Sequence, residues 1–496
     1  MTINLYEFQQ QDVQHLARQK AALIGSEMGT GKTHVAIELD AQWSNQIIQE
    51  HTQHYPTLVI TPLNTFSSWV KKYKEQMPDV DVHVIDRKNR PEFIQAIRNR
   101  KADVYIMHWD ALRLLESAFS TIQFGVVIAD EVHRASNRKA QATRALKKIK
   151  CYRKLAMSGT ASGDKPENLW SILNWLWPTY YRSYWSFRKH YCVEDFVQRG
   201  QASYRQIVGV KNIDSLKKEM APWYVRHLKR SECCAHHPEG VMYWLPEKTY
   251  ETIWVDLSPA QRKVYDQMKK NMVAWVGEHE ESPIVASVVV AQMTRLSQIA
   301  LATPVVSEKV KARWDRKLQE SFEEISTSIE LTAPSSKIDA VKELIQDNEG
   351  KQFVVFSSSK KACYLAKEEL AKVGIVSEVL SGDTPDVQRL SMVSRFEKGQ
   401  FQVFIAVIQA AAEGIDGLQH ATDTAIFLDR SWSTIKNQQA EDRLHRDGQK
   451  DTVVIIDVMA RNTLDFGRKQ KLEAKWEWIR MILGDKAQEK VLKGML

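Results

Sequence analysis

At 496 residues the chain is too long for a single hydrophobic core, so two to four domains are expected. Its 43% apolar and 26% charged residues exclude a disordered, collagen-like or membrane-dominated protein. Lys and Arg exceed Asp and Glu by eight, which favours a polyanionic partner, although general solubility would account for the excess equally well.

Five cysteines (Cys151, Cys192, Cys233, Cys234 and Cys363) are odd in number and thinly spread, so a disulfide framework is not expected and a reducing compartment is. The start, MTINLYEFQQQDV, has no basic segment leading into an apolar one. The longest apolar runs, such as 284–291, are far too short to span a bilayer. A cytoplasmic protein without membrane contact is the expectation.

In chain order, the first strong signal is Ala21-Ala22-Leu23-Ile24, then Gly25-Ser26-Glu27-Met28-Gly29-Thr30-Gly31-Lys32-Thr33, then a helical stretch from His34 to Ile48. Strand, glycine turn and helix in that order form a phosphate cradle, because glycines let backbone N–H groups converge and the helix start adds partial positive charge. Ser26, Met28, Gly29, Thr30 and Gly31 line that cradle. Lys32 would reach the β- and γ-phosphates of a nucleoside triphosphate, and Thr33 would ligate Mg2+. The strict pattern wants Gly at 26, where this chain has Ser.

Short apolar runs continue at Thr57–Thr61, Val82–Ile85, Val104–Met107, Val126–Ala129 and Lys154–Met157, with helical stretches between them. They do not alternate, as expected when both faces of a parallel sheet are covered, so the fold class is α/β and doubly wound. Asp130 and Glu131 follow the fifth of these strands directly. In one domain with a phosphate loop, Asp130 would hold Mg2+ and Glu131 would orient or deprotonate the attacking water.

Asp130-Glu131-Val132-His133 resembles the DExH box of superfamily 2 helicase-like ATPases, and other stretches narrow the resemblance to the Swi/Snf-type branch. Leu5-Tyr6-Glu7-Phe8-Gln9 is similar to the motif whose Gln reads adenine, which implies that role for Gln9. Thr61-Pro62 with Trp69 resembles a motif contacting the nucleic-acid backbone. Ser158-Gly159-Thr160 and Glu167 to Leu173 resemble the block linking hydrolysis to strand contacts. The resemblance implies two tandem RecA-like lobes with helical insertions between them and the nucleotide between the lobes.

Trp170, Trp175, Trp177 and Trp185 lie among Tyr180, Tyr181, Tyr184 and Tyr191. Such rings can stack unpaired bases, but aromatics mostly bury area, so packing is the expectation. Arg226, Lys229 and Arg230 resemble the segment joining the lobes. Cys233, Cys234, His236 and His237 crowd into five residues, an arrangement ill suited to one zinc ion, and read as a loop. Residues 303 to 336 read as a charged helical stretch, notably Lys309 to Glu324, followed by a linker.

Strands resume at Phe353–Phe356, Ile375–Leu380, Val403–Val407, Ala425–Leu428 and Val453–Asp457, a second α/β domain without a phosphate loop. Gln438 to Gln449 closely resembles the Swi/Snf-type terminal motif. Arg443 and Arg446 lie three apart, on what should be one helical face, and would stabilise charge at the γ-phosphate. Gln409 to Leu418, with Gly414 and Asp416, resembles the nucleotide-sensing motif, but Ala411-Ala412-Glu413 departs from its usual form. Gly382 and Arg389 match positions flanking the nucleic-acid path.

The expected organisation is a first lobe with its extension over 1–245, a helical linker over 246–334, a second lobe over 335–465 and a terminal helix over 466–496. The resemblance implies a DNA-dependent ATPase motor using ATP and Mg2+, probing double-stranded or branched DNA with Thr61, Pro62, Arg389 and Gln409 among its contacts; RNA remains open. Rival readings are a strand-separating DNA or RNA helicase and a catalytically silent nucleic-acid-binding scaffold. The compact form is similar to minimal bacterial and phage members, a monomer is expected, and protein partners are not readable.

Overall fold

The structure, a computed structural model, describes residues 4–85, 90–99, 101–119, 121–161, 165–199, 202–230, 239–278, 285–315, 320–412 and 415–483. The chain divides into two compact units, one of Met1–Phe196, Arg205–Leu245 and Glu473–Leu496, the other of Val197–Tyr204 and Pro246–Leu472.

In the first unit the helix α1 (Glu7–Leu16) precedes strand β1 (Ala21–Ile24), which leads through the glycine turn into α2 (Lys32–His51). Strand β2 (Thr57–Thr61) and helix α3 (Phe66–Gln76) are followed by β3 (Val82–Ile85), β4 (Val104–His108), β5 (Gln123–Asp130) and β6 (Lys150–Met157). A hairpin, β7 (Cys192–Arg199) with β8 (Ala202–Val210), comes before the short strand β9 (Tyr224–Val225). The main sheet is parallel in the order β3-β4-β2-β5-β6-β1-β9, with Ile24 beside Met157 and Leu23 beside Tyr224.

Both faces of that sheet are covered, which explains why its strands read as continuous apolar runs. Along β5, Val127 and Ala129 join one buried cluster while Val126 and Ile128 join the other. Because the strands are parallel, the carboxyl ends of β5, β6, β1 and β9 stand side by side along one rim. In sheets of this kind that rim is where ligands are held.

The second unit has β10 (Lys248–Val255), then β11 (Thr303–Asp315) and β12 (Glu320–Thr332), then β13 (Phe353–Ser357), β14 (Ser377–Leu380), β15 (Val403–Val407), β16 (Thr424–Phe427) and β17 (Val453–Ala460). Its parallel sheet runs β10-β17-β16-β13-β15-β14, again with a cluster on each face: Phe353 and Val355 on one, Val354 and Phe356 on the other. Strand β10 falls in the stretch expected to be a helical linker, yet it pairs along its full length with β17, from Lys248 beside Val453 to Val255 beside Ala460.

The charged helix expected over Lys309 to Glu324 is not what forms. Residues Thr303–Asp315 and Glu320–Thr332 are an antiparallel hairpin. Lys309, Lys311 and Arg313 alternate with Val310, Ala312 and Trp314, a period of two rather than 3.6, and Lys311 registers with Glu324. Helices do form at Pro259–Glu278 and Val285–Leu301, the first with Ser258 accepting from the Gln261 amide at 3.3 Å as its cap. The final helix is Leu464–Leu483. No helix among the described residues is long and apolar enough to cross a membrane.

Candidate functional site: the phosphate loop and its acidic neighbours

The turn after β1 bends where its sequence allows. Gly29 and Gly31 have φ of +83° and +78°, left-handed conformations that side chains with a Cβ resist. Gly31 also has no room to spare, since an added Cβ would lie 2.3 Å from the Gln9 Nε2. Gln9 is buried and clasps the loop: its Nε2 donates to the Thr30 carbonyl at 3.0 Å while its Oε1 accepts from the Tyr6 amide at 3.0 Å. Lys32 opens α2 and turns its ammonium back into the loop, donating to the carbonyls of Ser26 and Glu27, each at 2.9 Å. Thr33 follows it in the first turn of that helix.

The end of β9 braces the loop from outside. The Glu27 and His227 backbones bond at 3.0 Å, the His227 amide donates to the Ser26 hydroxyl at 3.1 Å, and the Lys229 amide donates to the Glu27 carboxylate at 2.7 Å. Arg226 reaches the carbonyls of Gly25 and Gly159, and His227 meets the buried Asp12 at 2.8 Å. Ser26 is thus more than a stand-in for glycine, for its hydroxyl ties the loop to the neighbouring strand. Arg226 and Lys229, expected in a connector, belong to this brace, and Asp12 and His227 carried no signal in the sequence that could have placed them here.

Asp130 ends β5 and is fixed on all sides. Its Oδ2 accepts from the Thr61 hydroxyl at 2.8 Å and from the Trp69 indole at 3.1 Å, its Oδ1 from the Glu131 amide at 2.9 Å, and its carbonyl from the Trp109 indole at 2.9 Å. Burial, and then the adjacent Glu131 charge, push its carboxyl above the ordinary range, opposed by Thr61, Trp69 and Lys32. Glu131 takes a left-handed backbone conformation with φ of +50°. Burial works against its charge too, but the hydrogen bond and charge of His133, with Lys32 and Arg134, hold it down at about 2. His133 Nδ1 lies 3.1 Å from the Glu131 carboxylate and 3.1 Å from the Ser158 hydroxyl, so the residues after β6 join the same site. Lys32 lies near enough to both carboxylates to favour their ionised forms.

Thr61 is fully buried, and its hydroxyl serves Asp130 and Thr65 instead of a surface where a strand could lie; Pro62 is buried as well. The donor set suits the groups the sequence implies. A hydroxyl and a carboxylate are hard oxygen ligands of the kind Mg2+ takes, and an ammonium in a turn with left-handed glycines suits a polyphosphate.

In the second unit Arg443 and Arg446 are not on a helix. The helix Thr434–Glu441 stops before them, and they sit in the turn that follows, ahead of Gly448 at φ +93°. The two nevertheless meet one segment. Arg443 is buried, its guanidinium donating to the carbonyls of Ala412 and Ile415, while Arg446 pairs with Asp416 at 3.0 Å. Asp416 is well exposed and Arg446 partly so. Gln409 is exposed, Arg389 donates to the Thr384 carbonyl at 2.9 Å, and Gly382 is exposed nearby in sequence. Gly414, and the Cys233, Cys234, His236 and His237 group, lie outside the described residues.

Fold and site together define a class: two doubly wound α/β units, the first carrying a phosphate-loop turn beside a pair of acidic residues. The family follows from the sequence match. Residues 8–302 match the SNF2-related domain and residues 336–448 the helicase conserved C-terminal domain, so the chain belongs to the SNF2-related family. Among its relatives, the putative ATP-dependent helicase/translocase YwqA of Bacillus subtilis is 24% identical over 92% of this chain and 45% of its own length. The DNA excision repair protein ERCC-6-like 2 of Mus musculus is 21% identical over 94% of this chain and 34% of its own. The chain therefore spans less than half the length of these curated relatives. Among solved structures, the Sulfolobus solfataricus SWI2/SNF2 ATPase core in complex with dsDNA shares 18% identity over 98% of both chains, with a TM-score of 0.41.

Proposed function

We propose that the chain is a DNA-dependent ATPase motor that couples ATP hydrolysis to translocation on, or remodelling of, double-stranded or branched DNA. The observation that carries this reading is the meeting of Lys32, Asp130 and Glu131 at one rim of the first sheet, Lys32 acting electrostatically on both acids. Lys32 would exchange its two backbone carbonyl partners for phosphate oxygens, with the amides of the turn and the start of α2 completing the cradle. Thr33 and Asp130 would hold Mg2+, which when bound neutralises charge developing on the phosphates.

Glu131, held toward its ionised form by His133, Lys32 and Arg134, would accept a hydrogen bond from water and orient it. Gln9, bonded to the loop through the Thr30 carbonyl, would read the base. Of the two arginines, Arg446 is the one able to leave an exposed partner for a phosphate, and Arg443 shapes the segment around it. Arg389 and Gln409 remain the candidate nucleic-acid contacts, and the chain's positive excess supports a polyanion.

Hydrolysis measured with single-stranded, double-stranded and forked DNA and with RNA, at two salt concentrations, tests the reading. Duplex or forked DNA should stimulate most, and stimulation should fall at higher salt. Stimulation by RNA alone would refute the assignment to DNA, and ATP-driven release of a labelled fork strand would replace translocation with unwinding.

A further inference from the structure

The helix Tyr184–Tyr191 and the hairpin that follows carry a surface that the nucleotide site does not use. Of the aromatic-rich stretch expected to pack, Trp170, Trp175, Tyr181 and Tyr191 are indeed buried, but Trp185 is 65% exposed. Phe196, on β7, is exposed to the same degree. Each ring has a guanidinium against it: Arg188 lies 5.7 Å from the Trp185 centroid and Arg205 lies 5.0 Å from that of Phe196. Glu194 joins the two arginines, 2.5 Å from Arg188 and 3.5 Å from Arg205, and Arg188 also donates to the Arg205 carbonyl at 3.5 Å. The order ring, cation, carboxylate, cation, ring is continuous, so both aromatics belong to one surface.

Single exposed apolar residues are ordinary, but two large rings ordered by cations are not a random scatter. The local charge is also unusual. Residues 182–211 contain six Lys or Arg against two acidic residues, half of the whole chain's excess of eight, and one of those acids, Glu194, is engaged by the arginine pair. The core of a protein–protein interface is typically depleted in charge, whereas here each ring lies against a guanidinium. Flat rings interleaved with arginines are the arrangement that takes bases on the rings and phosphates on the cations. Bases inside a duplex have their faces covered by neighbouring pairs, so only unpaired nucleotides can use it.

We infer that Trp185 and Phe196, with Arg188 and Arg205, form a binding site for an unpaired nucleic-acid strand, separate from the nucleotide site. Bases stack on the two rings, and Arg205, the more exposed cation, takes a phosphate.

The test is binding of the full chain, without nucleotide, to a labelled oligothymidylate and to a blunt duplex of equal length, read by fluorescence anisotropy. The double substitution Trp185→Ala with Phe196→Ala should weaken single-strand binding roughly tenfold or more, since a stacked base is worth about five- to 150-fold by alanine substitution. Duplex affinity should stay the same, Trp185→Phe should keep most of the single-strand affinity, and Arg205→Ala should lessen its salt dependence. The exposed positions should leave thermal melting unchanged. Wild-type protein that does not bind the oligothymidylate, a double variant that binds it undiminished, or equal losses on single strand and duplex would each overturn the proposal. Because no ATP is present, none of these outcomes bears on the hydrolysis reading.

Discussion

Replacing Thr61 by Val keeps the shape of a buried position and removes one hydroxyl, the donor 2.8 Å from Asp130 Oδ2. A hydrogen bond to a charged group contributes roughly 1.5–3 kcal/mol, so losing this one should push the Asp130 carboxyl further up. Burial and then Glu131 already hold it high, and Thr61 is the first of the groups opposing them. Asp130 must be ionised to hold Mg2+, so the acid limb of the ATPase pH profile should move to higher pH. Stability should follow the charge: the variant is weaker than wild type at neutral pH, and the gap narrows as pH falls and Asp130 protonates in both. Steady-state hydrolysis across the pH range, with urea unfolding at each pH, measures both effects. An unmoved acid limb combined with a raised KM for DNA would refute this reasoning and return Thr61 to the nucleic acid.

Gly31→Ala combines a left-handed backbone, costing roughly 1–2 kcal/mol, with the loss of the Gln9–Thr30 bond, about 1 kcal/mol; urea unfolding should show the sum, and titration should show nucleotide binding lost. Arg443→Ala removes a buried guanidinium from two carbonyls and should destabilise the second unit by about 2–4 kcal/mol, whereas Arg446→Ala breaks only a partly exposed pair, changes stability by less than about 1 kcal/mol, and stops hydrolysis. The Glu441 carboxyl, which burial would raise, is held at about 2 by Lys248 and Arg430, so its stabilisation is complete above about 4.5 and is lost as pH falls toward 2. Glu441→Gln should flatten that part of the stability profile in acid titrations and, by leaving Lys248 without its carboxylate and Arg430 with Asp457 alone, lower stability at neutral pH.

Much of this was legible because parallel strands covered on both faces must be apolar throughout. The runs at Thr57–Thr61, Phe353–Phe356 and Val403–Val407 announce themselves, and the short β9 and the half-exposed β10 do not. The loop was legible because Gly29 and Gly31 are demanded by their backbone angles. What surrounds it was not. Trp69 and Trp109 converge on Asp130 from separate segments, and Asp12 and His227 meet across most of the first unit's sequence, contacts set by packing and not by local pattern. In the hairpin β11–β12 the charges suggest a solvated helix, although the alternation of Lys309, Lys311 and Arg313 carries the strand period. Arg443 and Arg446 are legible by motif, but the turn that holds both, Arg443 against the Ala412 and Ile415 carbonyls and Arg446 against Asp416, is visible only in the structure.

In the proposed function, Lys32 and the acids beside it hydrolyse ATP in answer to DNA. Its most direct test is the hydrolysis rate of wild type and Lys32→Ala with and without duplex DNA, each protein first shown to be folded. The expected result is a wild-type rate raised by duplex and a variant without measurable hydrolysis in either condition. Wild-type hydrolysis indifferent to DNA, or a Lys32→Ala rate equal to wild type, would contradict it.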